Sequence, residues 1–223
     1  MRLKLYQCQN DTISLDDKPL CLEIERQSMF VECAGYFRDM TLENQYIAIL
    51  ENDKYVAAKD VCALYDITNV SLTNKTFLNR LYKKVETDIV ADYDQKLQLD
   101  KIYATIISYF DNLISHYNCD LTLQRESKIK DFLDLVQLAP QTGEDYFDNL
   151  LNLIALSAEL DLFELIVIVN QRAFLTLEQL QELYKFCLYK KQKLLVLERY
   201  HDSNPCQNER KLYIDQELFE FLS

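Results

Sequence analysis

Glycine is almost missing from this chain: Gly35 and Gly143 are the two in 223 residues. A glycine-rich loop that cradles phosphate with its backbone is therefore excluded. Only three prolines are present, so the chain is expected to be built from long regular elements with few tight turns. Histidine is nearly as scarce, with His116 and His201 far apart. His116 and Cys119 share a helical spacing, but no second ligand pair completes a zinc site, and a helix-face or core role is the commoner one. The seven cysteines are odd in number, scattered and never in CxxC spacing, which reads as reduced thiols in a cytosolic protein. No apolar run approaches the ~18 residues of a membrane span. The alternating start Met1-Arg2-Leu3-Lys4-Leu5-Tyr6 lacks the apolar core of a signal peptide. Basic residues are outnumbered 24 to 36 by acidic ones, so the average surface repels nucleic acid, although a local basic patch remains compatible with that average.

Apolar pattern is plentiful, at 49% hydrophobic residues. Leu165-Ile166-Val167-Ile168-Val169 and Leu194-Leu195-Val196-Leu197 are short runs without alternation, expected of strands buried on both faces of a parallel sheet. Between them Thr176 and Gln179 have capping-box spacing. The helix they begin carries Leu177, Leu180, Leu183, Tyr184 and Cys187 on one face and lysines at its end. This strand–helix–strand crossover belongs to the kind of sheet that binds nucleotides, without the loop that would hold one.

Residues 1–70 read as strand-rich, with segments at Leu3/Leu5, Leu20–Ile24, Tyr46–Leu50 and Val61–Tyr65 and a helix near Gln27–Arg38. From Ser71 the pattern turns helical: Asn74–Glu86, a long heptad-like run from Leu99 to Tyr117, then about Ser127–Leu138 and Glu144–Leu160. Asp120–Leu123 reads as an extended break. The long run suits an antiparallel helical pair or a subunit contact. The expected fold class is α/β, with a head from residues 1–70 and 161–223 and an inserted all-helical domain at 71–160.

Chemistry-bearing residues are few. Asp92/Asp94, Glu144/Asp145/Asp148 and Asp16/Asp17 are acidic pairs, but no EF-hand loop is present and solvated faces explain them more simply. Asp161, Glu164 and Glu198 flank the strands where metal-binding carboxylates of sheet enzymes stand. If they converged on an ion, a metal-dependent phosphohydrolase would follow. Basic residues gather at Lys75, Arg80, Lys83 and Lys84, at Arg125, Lys128 and Lys130, and at Lys185–Arg199. No aromatic–basic interleaving or recognition helix points to base readout.

The order of these features resembles a known family. Lys59-Asp-Val-Cys-Ala-Leu-Tyr-Asp-Ile-Thr-Asn69, Asn74–Glu86, Phe132–Leu138, Leu165–Thr176, Leu195–Glu198 and Tyr213-Ile214 are similar, in sequence order, to the short form of the CRISPR-associated adaptation protein of subtype II-A loci, a Csn-type ring protein. The likeness spans roughly residues 45–220. It implies a head with a mainly parallel sheet resembling a degenerate P-loop nucleotide-hydrolase fold, and a helical leg. It further implies a non-enzymatic homotetrameric ring, in the cytoplasm, that binds double-stranded DNA ends during spacer acquisition beside the CRISPR integrase complex and the effector nuclease. Phosphate contacts would then fall to Lys75, Arg80, Lys83, Lys84, Lys128 and Lys130. Calcium accompanies the family's ring, and Asp120, Glu126 and Asp131 remain as its ligands here, because Thr122, Gln124 and Arg125 stand where acidic residues are expected. A protein–protein adaptor without its own DNA binding is the alternative use of the helical domain.

Overall fold

In chain order the described elements are β1 (Arg2–Leu5), β2 (Thr12–Ser14), β3 (Leu20–Ile24), α1 (Gln27–Arg38), β4 (Ile47–Glu51), β5 (Lys54–Tyr55), β6 (Val61–Leu64), α2 (Lys75–Ala91), α3 (Tyr93–Ile114), α4 (Ile129–Leu135), α5 (Tyr146–Glu159), β7 (Leu165–Val169), α6 (Leu177–Lys190), β8 (Lys193–Glu198), β9 (Arg210–Ile214) and β10 (Glu220–Leu222). They come from a computed structural model in which residues 1–8, 12–40, 44–123, 128–202 and 206–222 are described.

The chain divides into two units, Met1–Ser71 with Thr142–Ser223, and Leu72–Gln141. The first is mixed α/β with two sheets. A six-stranded sheet runs β10-β9-β3-β8-β7-β6, parallel throughout except for β10. The expected parallel strands are thus present, and β3 is wedged between β8 and β9. A second, antiparallel sheet in the order β2-β1-β4-β5 was not foreseen as separate. Its strands β2 and β5 are only three and two residues long, too short to show a period.

Side-chain alternation along the parallel strands sorts two cores. Leu20, Leu22 and Ile24, with Val167, Leu195 and Leu197, face α1 and the antiparallel sheet, where Leu3, Leu5, Met29, Ile47 and Ile49 are buried. Cys21, Ile166, Ile168, Leu194 and Val196 face the other way, onto Leu150 and Ile154 of α5 and Leu183 and Tyr184 of α6. All residues of β3 and β7 are buried, the reason those runs lack alternation of polarity.

Helix α5 belongs to this unit, so the second boundary lies near residue 141 and not at 160. Its apolar stripe Phe147, Leu150 and Ile154 completes the core over β7, a tertiary fact that helical periodicity alone does not carry. Asp145 caps it, accepting from the Asp148 N–H at 2.8 Å. The capping box of α6 forms as spaced: Thr176 Oγ1 accepts from Gln179 N at 3.3 Å, and Gln179 Oε1 from Thr176 N at 3.0 Å.

The second unit is helical. α2 begins at an Asn74 cap, whose Oδ1 accepts from Phe77 N at 2.8 Å, and buries Phe77, Leu81 and Tyr82. It runs to Ala91, past the expected end at Glu86, and hands over directly to α3 through Asp92, whose Oδ1 accepts from Asp94 N and Gln95 N. α4 is shorter than expected, because Gln137 turns left-handed at φ 52°. Tyr103 of α3 meets Phe132 of α4 edge-on, with ring centroids 5.8 Å apart. No residue of α3 is fully buried.

Candidate functional site at the carboxyl ends of the strands

Glu23, next to last in β3, pairs in register with Glu198, the last residue of β8. Strand alternation puts both on the face shared by Cys21 and Val196. Two carboxylates side by side in a core repel unless a cation or a proton intervenes. Arg172 intervenes. β7 is followed by Asn170, whose left-handed backbone (φ 55°, ψ 40°) turns the chain into a single 3-10 turn, Gln171–Ala173. Asparagine tolerates that conformation better than most residues. The turn brings Arg172 back over the strand ends. Its N–H donates to Glu198 Oε1 at 3.0 Å, and its Nη1 lies 3.0 Å from both Glu23 Oε1 and Asp202 Oδ2.

Further polar groups pack around this pair. Lys211 Nζ reaches Glu23 Oε1 at 3.1 Å, and His201 Nδ1 sits 2.6 Å from Glu23 Oε2. Glu209 receives Arg172 Nη2 at 3.4 Å and the Cys206 N–H at 2.8 Å. Gln171 Nε2 donates to the buried Tyr184 hydroxyl at 2.8 Å. Burial pushes the Glu198 carboxyl up to about 7, with the Glu23 charge adding to it and the Arg172 N–H opposing. Burial also drives the Cys21 thiol and the Tyr184 hydroxyl upward. Neither therefore offers an anionic nucleophile at neutral pH.

A crevice of about 730 Å³ opens beside this cluster, lined by Gln27, Phe30 and Val31 of α1, by Asn170 and Arg172, and by the segment 198–202. It stands outside the carboxyl ends of parallel strands, the usual ligand position in such sheets. The connection from β3 to α1 is only Glu25 and Arg26. Two residues without glycine cannot wrap a phosphate chain.

The other carboxylates proposed for a metal do not join Glu198. Asp161 and Glu164 precede β7, whereas Glu198 ends β8, and β7 runs parallel to β8 from Leu165 opposite Lys193 to Val169 opposite Leu197. The two groups occupy opposite ends of the sheet, roughly 16 Å apart at about 3.3 Å per residue. Convergence on one ion is ruled out by the strand direction.

The sequence-derived basic residues fall on two helices of the second unit. Lys75 opens α2, and Arg80, Lys83 and Lys84 follow on it. By helical geometry Lys83 lies opposite the buried Phe77/Leu81/Tyr82 face and is exposed, whereas Arg80, three residues on from Phe77, flanks that face and is half-buried. Lys84 pairs with Asp88 at 3.6 Å one turn on. Lys128 and Lys130, at the start of α4, are exposed. Of the calcium candidates, Asp120 is exposed in the irregular segment after α3. Asp131 caps α4, its Oδ2 accepting from Lys128 N at 2.9 Å. Glu126, like Arg125, lies outside the described residues. Among the described residues no three acidic, histidine or cysteine side chains come together to hold a metal. His116 Nδ1 lies 2.7 Å from the Asn112 carbonyl, within its own helix end.

Sequence reading missed the Glu23–Arg172–Glu209–Lys211 cluster. One signal was present: Glu23 is a charge inside the apolar run Leu20-Cys-Leu-Glu-Ile24, and a charge in a buried strand requires a partner. The partner, Arg172, is remote in sequence and nothing local announces it. No helix among the described residues is long and apolar enough to cross a membrane.

Comparison with known proteins agrees with the fold. The structure of Stu0660 of Streptococcus thermophilus superposes with a TM-score of 0.51 at 13% identity, over 96% of this chain and 75% of that one. At this identity the likeness concerns the fold alone. The ATP-binding cassette MJ0796, in a dimeric post-hydrolysis state with ADP and Pi, gives a TM-score of 0.41 at 12% identity over 99% of this chain and 96% of that chain, too low to argue from. No curated protein sequence matches. The profile of the CRISPR-associated protein (Cas_Csn2) family matches residues 41–218, which is most of the chain, and the protein belongs to that family.

Proposed function

We propose that this protein is a non-enzymatic, sequence-independent binder of double-stranded DNA ends that acts in CRISPR spacer acquisition as a cytoplasmic homotetrameric ring. Family membership, residues 41–218, is the observation that carries the reading. Two features of the structure support it. The β3–α1 connection has no room for a phosphate-gripping loop, in keeping with a P-loop-like head whose nucleotide chemistry is gone. Helix α2 exposes Lys75 and Lys83 away from its apolar face, with Arg80 at the edge of that face, and exposed cations serve phosphates without reading bases. Confining DNA to such helices reconciles binding with a net charge of −12. The helical unit is the leg of each protomer. Calcium, the integrase complex and the effector nuclease are its further partners in this reading, with Asp120, Glu126 and Asp131 the candidate ligands for the ion.

Self-assembly has its own support. Ile102, Ile106, Tyr109, Phe110 and Leu113 follow one another along α3 at helical spacing, each between 36% and 64% exposed. A continuous apolar stripe on a 22-residue helix is costly to leave in water and suits a contact between copies.

The test compares linear duplex with covalently closed duplex of the same sequence, with and without calcium, across a salt series. A ring threaded from an end binds the linear form and ignores the closed one. Equal binding to both would replace threading with side-on association. Binding to neither would leave the protein–protein adaptor as the reading.

A further inference from the structure

We propose that the crevice over β7 and β8 is a binding site for an amino-bearing nucleobase, either of a free nucleoside or of an unpaired nucleotide in DNA. The inference stands apart from the ring reading, since neither source requires the basic helices.

The shape comes first. At about 730 Å³ the crevice is within the ~300–1,000 Å³ of small-molecule pockets, and it lies at the ligand position of a parallel sheet. Its chemistry narrows the occupant. A phosphate-led ligand is disfavoured, because the β3–α1 turn is two residues without glycine and the lining Arg172 is already engaged by Glu23 and Asp202. A metal ion is disfavoured, because no metal-holding cluster exists among the described residues. A purely apolar ligand would use none of the lining amides and basic groups of Gln27, Asn170, Arg199 and His201.

What remains fits a flat, polar-edged ring. Tyr200 is 79% exposed and carries the Arg199 guanidinium 5.4 Å from its ring centre, so two planar groups are available for stacking. Phe30 and Val31, on the first turns of α1, add apolar lining. Glu198 brings a carboxyl whose Oε1 also accepts from the Arg172 N–H, and Gln27 and Asn170 bring amides, the latter with its Oδ1 accepting from Arg199 N. A carboxyl pairs with an exocyclic amino group and the adjacent ring nitrogen, the edge that adenine and cytosine possess and thymine lacks.

The experiment uses the full chain. Adenosine, cytidine and thymidine are titrated by calorimetry and by saturation-transfer NMR. In parallel, a blunt duplex is compared with the same duplex carrying a single overhanging 2-aminopurine, read by its fluorescence. Adenosine and cytidine are expected to bind, and thymidine to bind at least about tenfold more weakly. Tyr200→Ala, at an exposed position that leaves the core intact, should weaken adenosine about tenfold, and Glu198→Gln should reduce the preference over thymidine. Quenching of the overhanging base by wild type, lost in Tyr200→Ala, assigns the site to DNA. Adenosine binding without that quenching assigns it to a free nucleoside. No binding of adenosine or the overhang at millimolar concentration overturns the proposal, as does binding that both substitutions leave unchanged. Blunt-duplex affinity retained in Tyr200→Ala while adenosine binding is lost separates this site from the basic helices.

Discussion

Glu23 and Glu198 stand in register on neighbouring parallel strands, and Arg172 lies against both, through its backbone N–H to one and its guanidinium to the other. A nucleotide-hydrolysing sheet typically places a metal and a phosphate near such strand ends. Here the cation is supplied by the chain itself.

Removing that cation should be expensive. In Arg172→Ala the wholly buried Glu23 keeps Lys211 and His201, but the Glu23–Glu198 repulsion is no longer screened. Breaking a buried ion pair from one side costs about 3–5 kcal/mol. Urea unfolding should show a loss of this order, with the far-UV spectrum of the remaining folded protein unchanged.

Glu198 makes stability depend on pH with a particular sign. Its carboxyl is raised from 4.5 to about 7, so between those values the native state holds a proton that the unfolded chain has released. Stability contributed by this group is present in full below about 4.5 and declines as pH rises towards 7. The decline amounts to about 3 kcal/mol at ~1.4 kcal/mol per pH unit. Glu198→Gln keeps an acceptor for the Arg172 N–H and cannot ionise. Thermal melts should find it equal to wild type near pH 4.5 and more stable at pH 8; equal melting temperatures at both would refute the assignment.

For DNA binding, Lys75→Glu, Arg80→Glu and Lys83→Glu combined should weaken every duplex sequence alike. The slope of log K against log salt should shrink by about 0.9 for each phosphate contact removed. An unchanged slope would take these residues out of the interface.

The apolar stripe of α3 predicts a separate phenotype. Ile106→Glu with Phe110→Glu places two charges where contact between copies is expected. Light scattering should report smaller particles, while helicity and melting of the monomer stay close to wild type, since neither side chain is buried in the monomer. Particles of unchanged mass would assign the stripe to another partner.

Much of the fold was legible because periodicity is local. The runs 165–169 and 194–198, the Thr176–Gln179 box and the helix near Gln27–Arg38 each carry their own signal, and each formed as read. What was not legible depended on distance. α5 has the period of any amphipathic helix, and only the buried contacts of Leu150 and Ile154 with Ile166 and Leu183 assign it to the α/β unit. The antiparallel sheet was hidden by strands of two and three residues. At the candidate site Glu198 was noticed for its position after a strand. Arg172, which gives it meaning, sits in a turn like many others until Asn170 bends the chain back.

The central place of β3 has a consequence for the order in which the protein comes into being. β3 is made early, yet its hydrogen-bonding neighbours in the sheet are β8 and β9, from the last part of the sequence. During synthesis Leu20–Ile24 must wait, unpaired and wholly apolar but for Glu23, until residues 193–214 have left the ribosome. The helical unit, complete once residue 141 is out, has all its own partners far sooner. An arrest peptide placed along the chain should therefore register an early folding event near the helices and a single late one for the sheet.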